Sequence, residues 1–204
     1  MILRAILFIG LMGTGATALA EGANNARLSL SLYGGFAFAH NTASGLSSSI
    51  SSRTGLTYGV GAEVALLPKL SLGLDILHIT KSYDLMSPGV VSNFQLDYLN
   101  FPVLLRWRPT NYLMFETGPW IASFLLSATR ESQGVYTPMK DSFKNDYGLS
   151  MGMWMGFHAK NNMSFGLNLR YDVGLADIQA DNDPSSSINT RALLTLATIV
   201  FNFK

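Results

Sequence analysis

Met163 to Val173 reads MSFGLNLRYDV, with Met163, Phe165, Leu167, Leu169, Tyr171 and Val173 at alternate positions and Ser164, Gly166, Asn168, Arg170 and Asp172 between them. A period of two puts all the apolar side chains on one face of a strand and the polar or small ones on the other. A helix would instead force Asn168 or Arg170 onto the leucine face.

The same pattern recurs in both directions along the chain. Tyr147 to Phe157 sets Tyr147, Leu149, Met151, Met153, Met155 and Phe157 against Gly148, Ser150, Gly152, Trp154 and Gly156. Leu56 to Leu66 and Leu28 to Phe38 alternate in the same way, the second placing Ser29, Ser31 and Tyr33 opposite its leucines. Leu70 to Ile76 sets leucines against Ser71, Gly73 and Asp75. Tyr98 to Arg108 carries Leu99, Phe101, Val103, Leu105 and Trp107 on one face and Asn100, Arg106 and Arg108 on the other, with Pro102 and Leu104. Leu113 to Leu125 places Phe115, Ile121 and Leu125 opposite Glu116, Gly118 and Trp120. Leu193 to Phe203 is apolar on both faces, so its orientation rests on Phe201, Asn202 and Phe203. A proline such as Pro102 fits inside a strand only where a bulge absorbs its missing N–H.

The chain has 204 residues, of which 48% are hydrophobic and 13% charged, with no cysteine. That charge fraction is about half the ~25% usual for soluble domains, which excludes a disordered chain or a polyanion binder. The absence of cysteine excludes disulfide frameworks, thiolate metal sites and cysteine nucleophiles. A mean hydropathy of +0.23 comes without the ~20-residue apolar run that a membrane helix requires. Strands of about ten residues, apolar on one face, match tilted membrane strands instead. In hydrocarbon every backbone N–H and C=O must be paired, so such a sheet has to close.

The expected fold is therefore all-β: a closed antiparallel transmembrane β-barrel of about eight strands, with short periplasmic turns and long extracellular loops. Leu67-Pro68-Lys69, Pro109-Thr110-Asn111 and Lys160-Asn161-Asn162 read as the short turns. The long loops are His40 to Thr54, Ser82 to Gln95, Ser127 to Lys144 and Ala176 to Asn189, which leaves both chain ends periplasmic. Residues 1–20, MILRAILFIGLMGTGATALA, carry Arg4, an apolar stretch and Ala18-Leu19-Ala20, the order of a secretory signal peptide. Residues 21–204 are then the outer-membrane barrel domain. Cleavage removes Arg4 and leaves equal numbers of basic and acidic side chains, so no basic patch is implied.

With about eight strands, side chains fill the lumen and a porin-scale pore is disfavoured. The inward set comprises Arg27, Glu63, Asp75, Arg106, Glu116, Asp146, Arg170 and Asp172. Charges of both signs are tolerable there only when paired, which points to a lumenal ion-pair network centred on Arg106 and Arg170. Inward glycines (Gly59, Gly61, Gly73, Gly118, Gly148, Gly152, Gly156, Gly166) make room beside Trp120 and Trp154. Tyr58, Tyr98, Trp107, Tyr112, Phe115, Tyr147, Phe157, Tyr171, Phe201 and Phe203 fall near strand ends, where aromatic girdles belong.

The histidines are His40, His78 and His158; His40 or His78 with Ser44 or Ser82 is the available nucleophilic pairing, without a recognised signature. No catalytic residue, cofactor or metal ligand is assigned; Asp181-Asn182-Asp183 reads as a polar loop.

Tyr98-Leu99-Asn100-Phe101-Pro102-Val103-Leu104-Leu105-Arg106 resembles a strand of the PorT-like, porin-family outer-membrane barrels of Bacteroidota, themselves similar to the OmpA barrel. Gly118-Pro119-Trp120, Asp146-Tyr147-Gly148-Leu149 and Leu169 to Leu175 support the likeness over essentially the whole mature chain. Asn100 stands where an acid is common, Trp120 where tyrosine is, and Lys204 follows the C-terminal Phe203. The resemblance implies an integral outer-membrane barrel, with protein secretion the role of one namesake; read with the residues themselves, the expectation is a Gram-negative outer-membrane protein that is not an enzyme and has a structural or interaction role at the cell surface. Its expected surroundings are outer-membrane lipid and lipopolysaccharide, with the barrel-assembly machinery during biogenesis and envelope or secretion proteins as partners, and no nucleic acid. The alternative functions are passage of small hydrophobic molecules or ions through a gated lumen, or lipid modification. A soluble lipocalin-like barrel would reverse the faces, but a polar face of glycines and ion-pair partners speaks for lipid outside.

Overall fold

The computed structural model describes residues 28–39, 42–44, 49–87, 90–132, 134–139, 142, 144–159, 162–178 and 187–203. Eight long strands form the wall: β1 Leu28–Ala39, β2 Ser49–Leu67, β3 Leu70–Ser87, β4 Val90–Trp107, β5 Leu113–Ser132, β6 Asp146–His158, β7 Met163–Gly174 and β8 Arg191–Phe203. Each pairs antiparallel with its sequence neighbours, and β1 pairs with β8 from Leu28↔Phe203 to Ala39↔Ala192, which closes the ring. Closure leaves no sheet edge within the apolar belt. Residues 1–27, including the expected leader and Arg27, lie outside the described residues.

The face assignments follow from period two. Leu32, Phe36, Leu56, Val60, Leu72, Leu105, Ile121, Leu149, Met151, Leu167 and Leu193 are exposed on the outer wall. Ser31, Glu63, Asp75, Arg106, Glu116, Asn168, Arg170 and Asp172 are buried inside. A continuous apolar exterior around a charged interior suits lipid, not water. In β8 both faces are apolar because each has an apolar surrounding. Leu193 and Phe203 face outward, while Leu194 and Leu196 pack inside with Tyr33, Ala37, Leu77 and Ile79. Tyr98 differs from its expected place in a girdle: it points inward, fully buried, because Leu99 and Phe101 hold the outward positions of β4.

Three of the expected long loops are largely strand. Residues 49–54 continue β2, 82–87 and 90–95 continue β3 and β4, and 127–132 continue β5. The four-residue strand Val135–Pro138 folds back onto β5, and Thr42–Ser44 pairs with Ser187–Asn189. Outside the membrane both faces of these segments carry Ser, Asp, Asn and Gln, so polarity alternation fades there while ladder pairing with the neighbouring strand continues. The wall is consequently lopsided. β2 to β5 have 18 to 20 residues each, and the other four strands 12 or 13. A strand of 18 residues tilted by ~45° rises about 40 Å, well beyond an apolar belt of ~25 Å.

Pro102 is accommodated by an irregular wall. The β4–β5 register shifts between Asp97 and Tyr98 and again between Leu99 and Phe101. The β3–β4 pairing is interrupted between Leu74↔Val103 and Leu77↔Asn100.

Candidate functional site

The lumen is the chemically distinctive part of the molecule. At the short-turn end a vestibule of about 650 Å³ opens between Lys69, Thr110, Asn111, His158 and Asn162. Its floor is Arg108, which donates to both carboxylate oxygens of Glu63 and, at 3.0 Å, to Ser71 Oγ.

Behind this floor lies a closed ring of charge. Arg106 donates from Nε to Glu116 Oε2 at 3.0 Å and from Nη2 to Asp75 Oδ2 at 2.8 Å. Arg170 donates from Nε to the other Glu116 oxygen and from Nη2 to Asp75 Oδ2, each at 2.8 Å. Two guanidinium groups thus alternate with two carboxylates around the barrel axis. Arg106 also reaches Glu63 at 3.3 Å and the Tyr33 hydroxyl at 3.1 Å, and Asn168 donates to Glu116 Oε1 at 2.8 Å. Charge-assisted pairs of this geometry offset the several kcal/mol that each buried ion costs, which one pair alone seldom does.

The strand register explains why these residues meet. Arg106 lies directly across from Glu116, and Gly152 is the residue between Glu116 and Arg170 on the intervening strand. A Cβ on Gly73 would stand 2.3 Å from Arg106 Nη1, and one on Gly61 2.2 Å from Asp75 Oδ1. Added Cβ atoms on Gly156 and Gly166 would fall within 2.5 Å of the Trp154 ring. These glycines are the beds of the guanidinium, the carboxylate and the indole.

Toward the long-loop end the polar chain continues and then stops. Asp172 accepts from Ser150 Oγ and from Asn100 Nδ2. Lys81 Nζ binds Asp146 Oδ2 at 3.0 Å and Thr190 Oγ1 at 2.9 Å, over the rings of Trp120 (4.7 Å) and Tyr98 (5.3 Å). Above it Tyr83, Phe94, Leu96, Tyr98, Trp120, Ala122, Ala128 and Ile178 form an apolar plug.

All the inward carboxylates and arginines singled out by sequence, apart from the undescribed Arg27, line this interior. Glu63, Asp75, Arg106, Glu116 and Arg170 are joined in one network. Asp146 belongs instead to the Lys81 cluster, and Asp172 sits between the two. Lys81 falls outside the inward set read from the alternation of Leu70 to Ile76; the continued alternation of Leu77, Ile79 and Lys81 against His78 and Thr80 is the signal for it.

Of the histidines, His78 faces outward and stacks on Tyr58 with centroids 4.8 Å apart. Ser82 is four residues along the same strand, about 13 Å away at strand rise, so the two do not share a proton. His40 and the side chain of Ser44 lie outside the described residues. His158 Nδ1 is 2.6 Å from Ser164 Oγ at the vestibule. Among the described residues no group of three His, Asp or Glu side chains is placed to hold a metal ion.

A family model described as an outer membrane protein beta-barrel domain matches residues 20–180. Neisserial surface protein A is similar in structure at 14% identity, over 87% of this chain and 97% of that one, with a TM-score of 0.50. OprG from Pseudomonas aeruginosa is similar at 12% identity, over 86% and 95%, with a TM-score of 0.54. Likeness at such identities concerns the fold alone. Comparison with curated protein sequences gives no match.

Proposed function

We propose, from the premise that this chain belongs to the outer membrane protein beta-barrel domain family, that it is a closed barrel whose work is done at its long-loop end. In this reading it anchors in the outer membrane with both termini periplasmic and carries the raised wall of β2 to β5 outside the cell as an interaction surface. The observation that supports it is the blocked axis: an alternating Arg–carboxylate ring and an apolar plug lie in series across the lumen. Ions crossing such an interior would have to displace fully buried salt bridges.

The surroundings that fit are outer-membrane lipid and lipopolysaccharide, with the barrel-assembly machinery acting during insertion. Envelope or secretion proteins are the partners proposed for the raised wall. The finer kinship with PorT-like barrels rests on Tyr98 to Arg106, and a part in envelope assembly or secretion is its natural extension.

Planar-bilayer recording tests the closed axis. The refolded chain is expected to show no steady conductance, and Arg106→Ala to alter stability more than current. A steady wild-type conductance that Arg106→Ala changes without unfolding the barrel would replace this reading with ion transport.

A further inference from the structure

Arg53, Arg106, Arg108 and Arg170 each pair with a carboxylate. Arg130 does not. Among the described residues no carboxylate lies within ion-pair reach of it, although it is half-buried. A guanidinium drawn partly out of water is ordinarily paired, so this one calls for an account.

Its surroundings fix where it points. Arg130 is two residues on from the buried Ala128 and so lies on the inner face of the raised wall, opposite Phe94 in register. Its Cζ stands 5.9 Å from the centroid of the Phe94 ring, which stacks in turn on Tyr83 with centroids 5.1 Å apart. Nε and Nη2 both donate to Ser92 Oγ, at 3.3 and 3.0 Å. Ser92 is two residues nearer the β3–β4 tip than Phe94, so the guanidinium leans away from the plug toward the long-loop end. With the Nε–Nη2 edge engaged, the edge formed by Nη1 and Nη2 is left over, and Nη1 is not among the buried atoms. That edge is the fork that matches the two oxygens of a carboxylate. Stack and serine orient it in advance, which leaves little rotamer freedom to lose on binding.

The neighbours narrow the ligand. Val135, 65% exposed, is the register partner of Ser132 and shares the face of Arg130. Leu85 and Met139 pack on the plug below. On the opposite face of the same strands Asp84, Asp97 and Glu131 outnumber Arg53, and they would repel a polyanion such as a sulfated glycan. The wall itself stands between Arg130 and the lipid headgroups. A single carboxylate with an apolar neighbour is the complementary group.

We propose that Arg130 is the anchoring contact of the raised wall: it receives the carboxylate of an acidic residue, flanked by an apolar side chain, on an extended segment of a partner protein. The fork holds both carboxylate oxygens, and the apolar neighbour covers Val135. The inference rests on the raised wall being the interaction surface and names the chemistry by which it recognises a partner.

The probe is the blocked tripeptide N-acetyl-Leu-Glu-Leu-amide. The full chain, isotopically labelled in its arginines, is refolded in phospholipid nanodiscs and titrated while the Arg130 Nε–H resonance is followed; its loss in Arg130→Gln assigns it. A saturable shift is expected, with the neutral Leu-Gln-Leu peptide at least about tenfold weaker, as loss of a charge-assisted pair requires. Arg130→Lys keeps the charge without the fork and should bind at least about fivefold more weakly. Both variants should keep the wild-type urea midpoint; if either unfolds, the comparison of the two peptides on the unaltered chain decides. No saturation, equal binding of the two peptides, or an Arg130→Lys chain as tight as wild type overturns the proposal. Tighter saturation by inorganic phosphate or dextran sulfate than by the acidic peptide would replace the protein partner with a polyanion. A steady conductance in planar bilayers would sink the closed-axis reading without altering this titration, and the titration can fail while the axis stays closed.

Discussion

Arg170→Ala is the sharpest test of the lumenal network. The side chain is fully buried and holds Glu116 and Asp75 through hydrogen bonds of 2.8 Å each. Removing one partner of a buried ion pair costs about 3–5 kcal/mol, most of it from the charge left behind. Here each carboxylate retains other partners: Glu116 keeps Arg106 at 3.0 Å and Asn168 at 2.8 Å, and Asp75 keeps Arg106 at 2.8 Å. The expected loss is therefore at the lower end, about 3 kcal/mol, read as a lowered urea midpoint for the heat-modifiable folded band in lipid vesicles. Pairing Arg170→Met with Glu116→Gln should recover part of it, with a coupling of about 1–3 kcal/mol, because the orphaned charge leaves with its partner. An Arg170→Ala barrel within about 0.5 kcal/mol of wild type, or strictly additive double-mutant energies, would show that the ring contributes no interdependent stability.

Other substitutions probe the faces and the packing. Leu167→Arg, on the outer wall at 40% exposure, should cost about 2–4 kcal/mol in bilayers through the lipid face, and normal folding there would reverse the inside–outside assignment. Gly73→Val places branched atoms where a Cβ alone would stand 2.3 Å from Arg106 Nη1, and should destabilise by about 1–3 kcal/mol in the same urea titration. Lys81→Met leaves Asp146 buried without its ammonium partner at 3.0 Å; a loss of about 3 kcal/mol is expected, and recovery on adding Asp146→Asn would identify the stranded charge as the cause. Replacing Val135–Pro138 by a Gly-Ser linker should leave the barrel's urea midpoint within about 0.5 kcal/mol of wild type, since all four residues are exposed.

The barrel was readable because its two solvents differ. Lipid outside and a polar lumen inside impose opposite chemistry on successive residues, so MSFGLNLRYDV announces a strand, its inward face and its membrane setting together. Where the surroundings cease to differ, the reading loses its edge. The upper halves of β3, β4 and β5 read as loops because polar residues such as Ser82, Asp84, Ser92, Asn93 and Gln95 interrupt the apolar alternation there, although Tyr83, Phe94 and Leu96 still turn inward into the plug. Tyr98 was expected in a girdle from its position near a predicted strand end. In the structure that strand runs on to Val90, and the parity of β4 turns Tyr98 into the plug.

Sequence alone determined the strand faces, the closure they force and the set of charges that must lie inside, because alternation and the ban on unpaired backbone in lipid are local constraints. It did not determine which charge meets which. Arg170 and Asp75 are 95 residues apart and join only because strand order and register carry them to one level of the lumen. The separation of the Lys81–Asp146–Thr190 cluster from that ring, the apolar plug above both and the two-sided break at Pro102 are likewise products of register. Register is set by the sum of pairings around a closed wall, and no single stretch of chain encodes that sum.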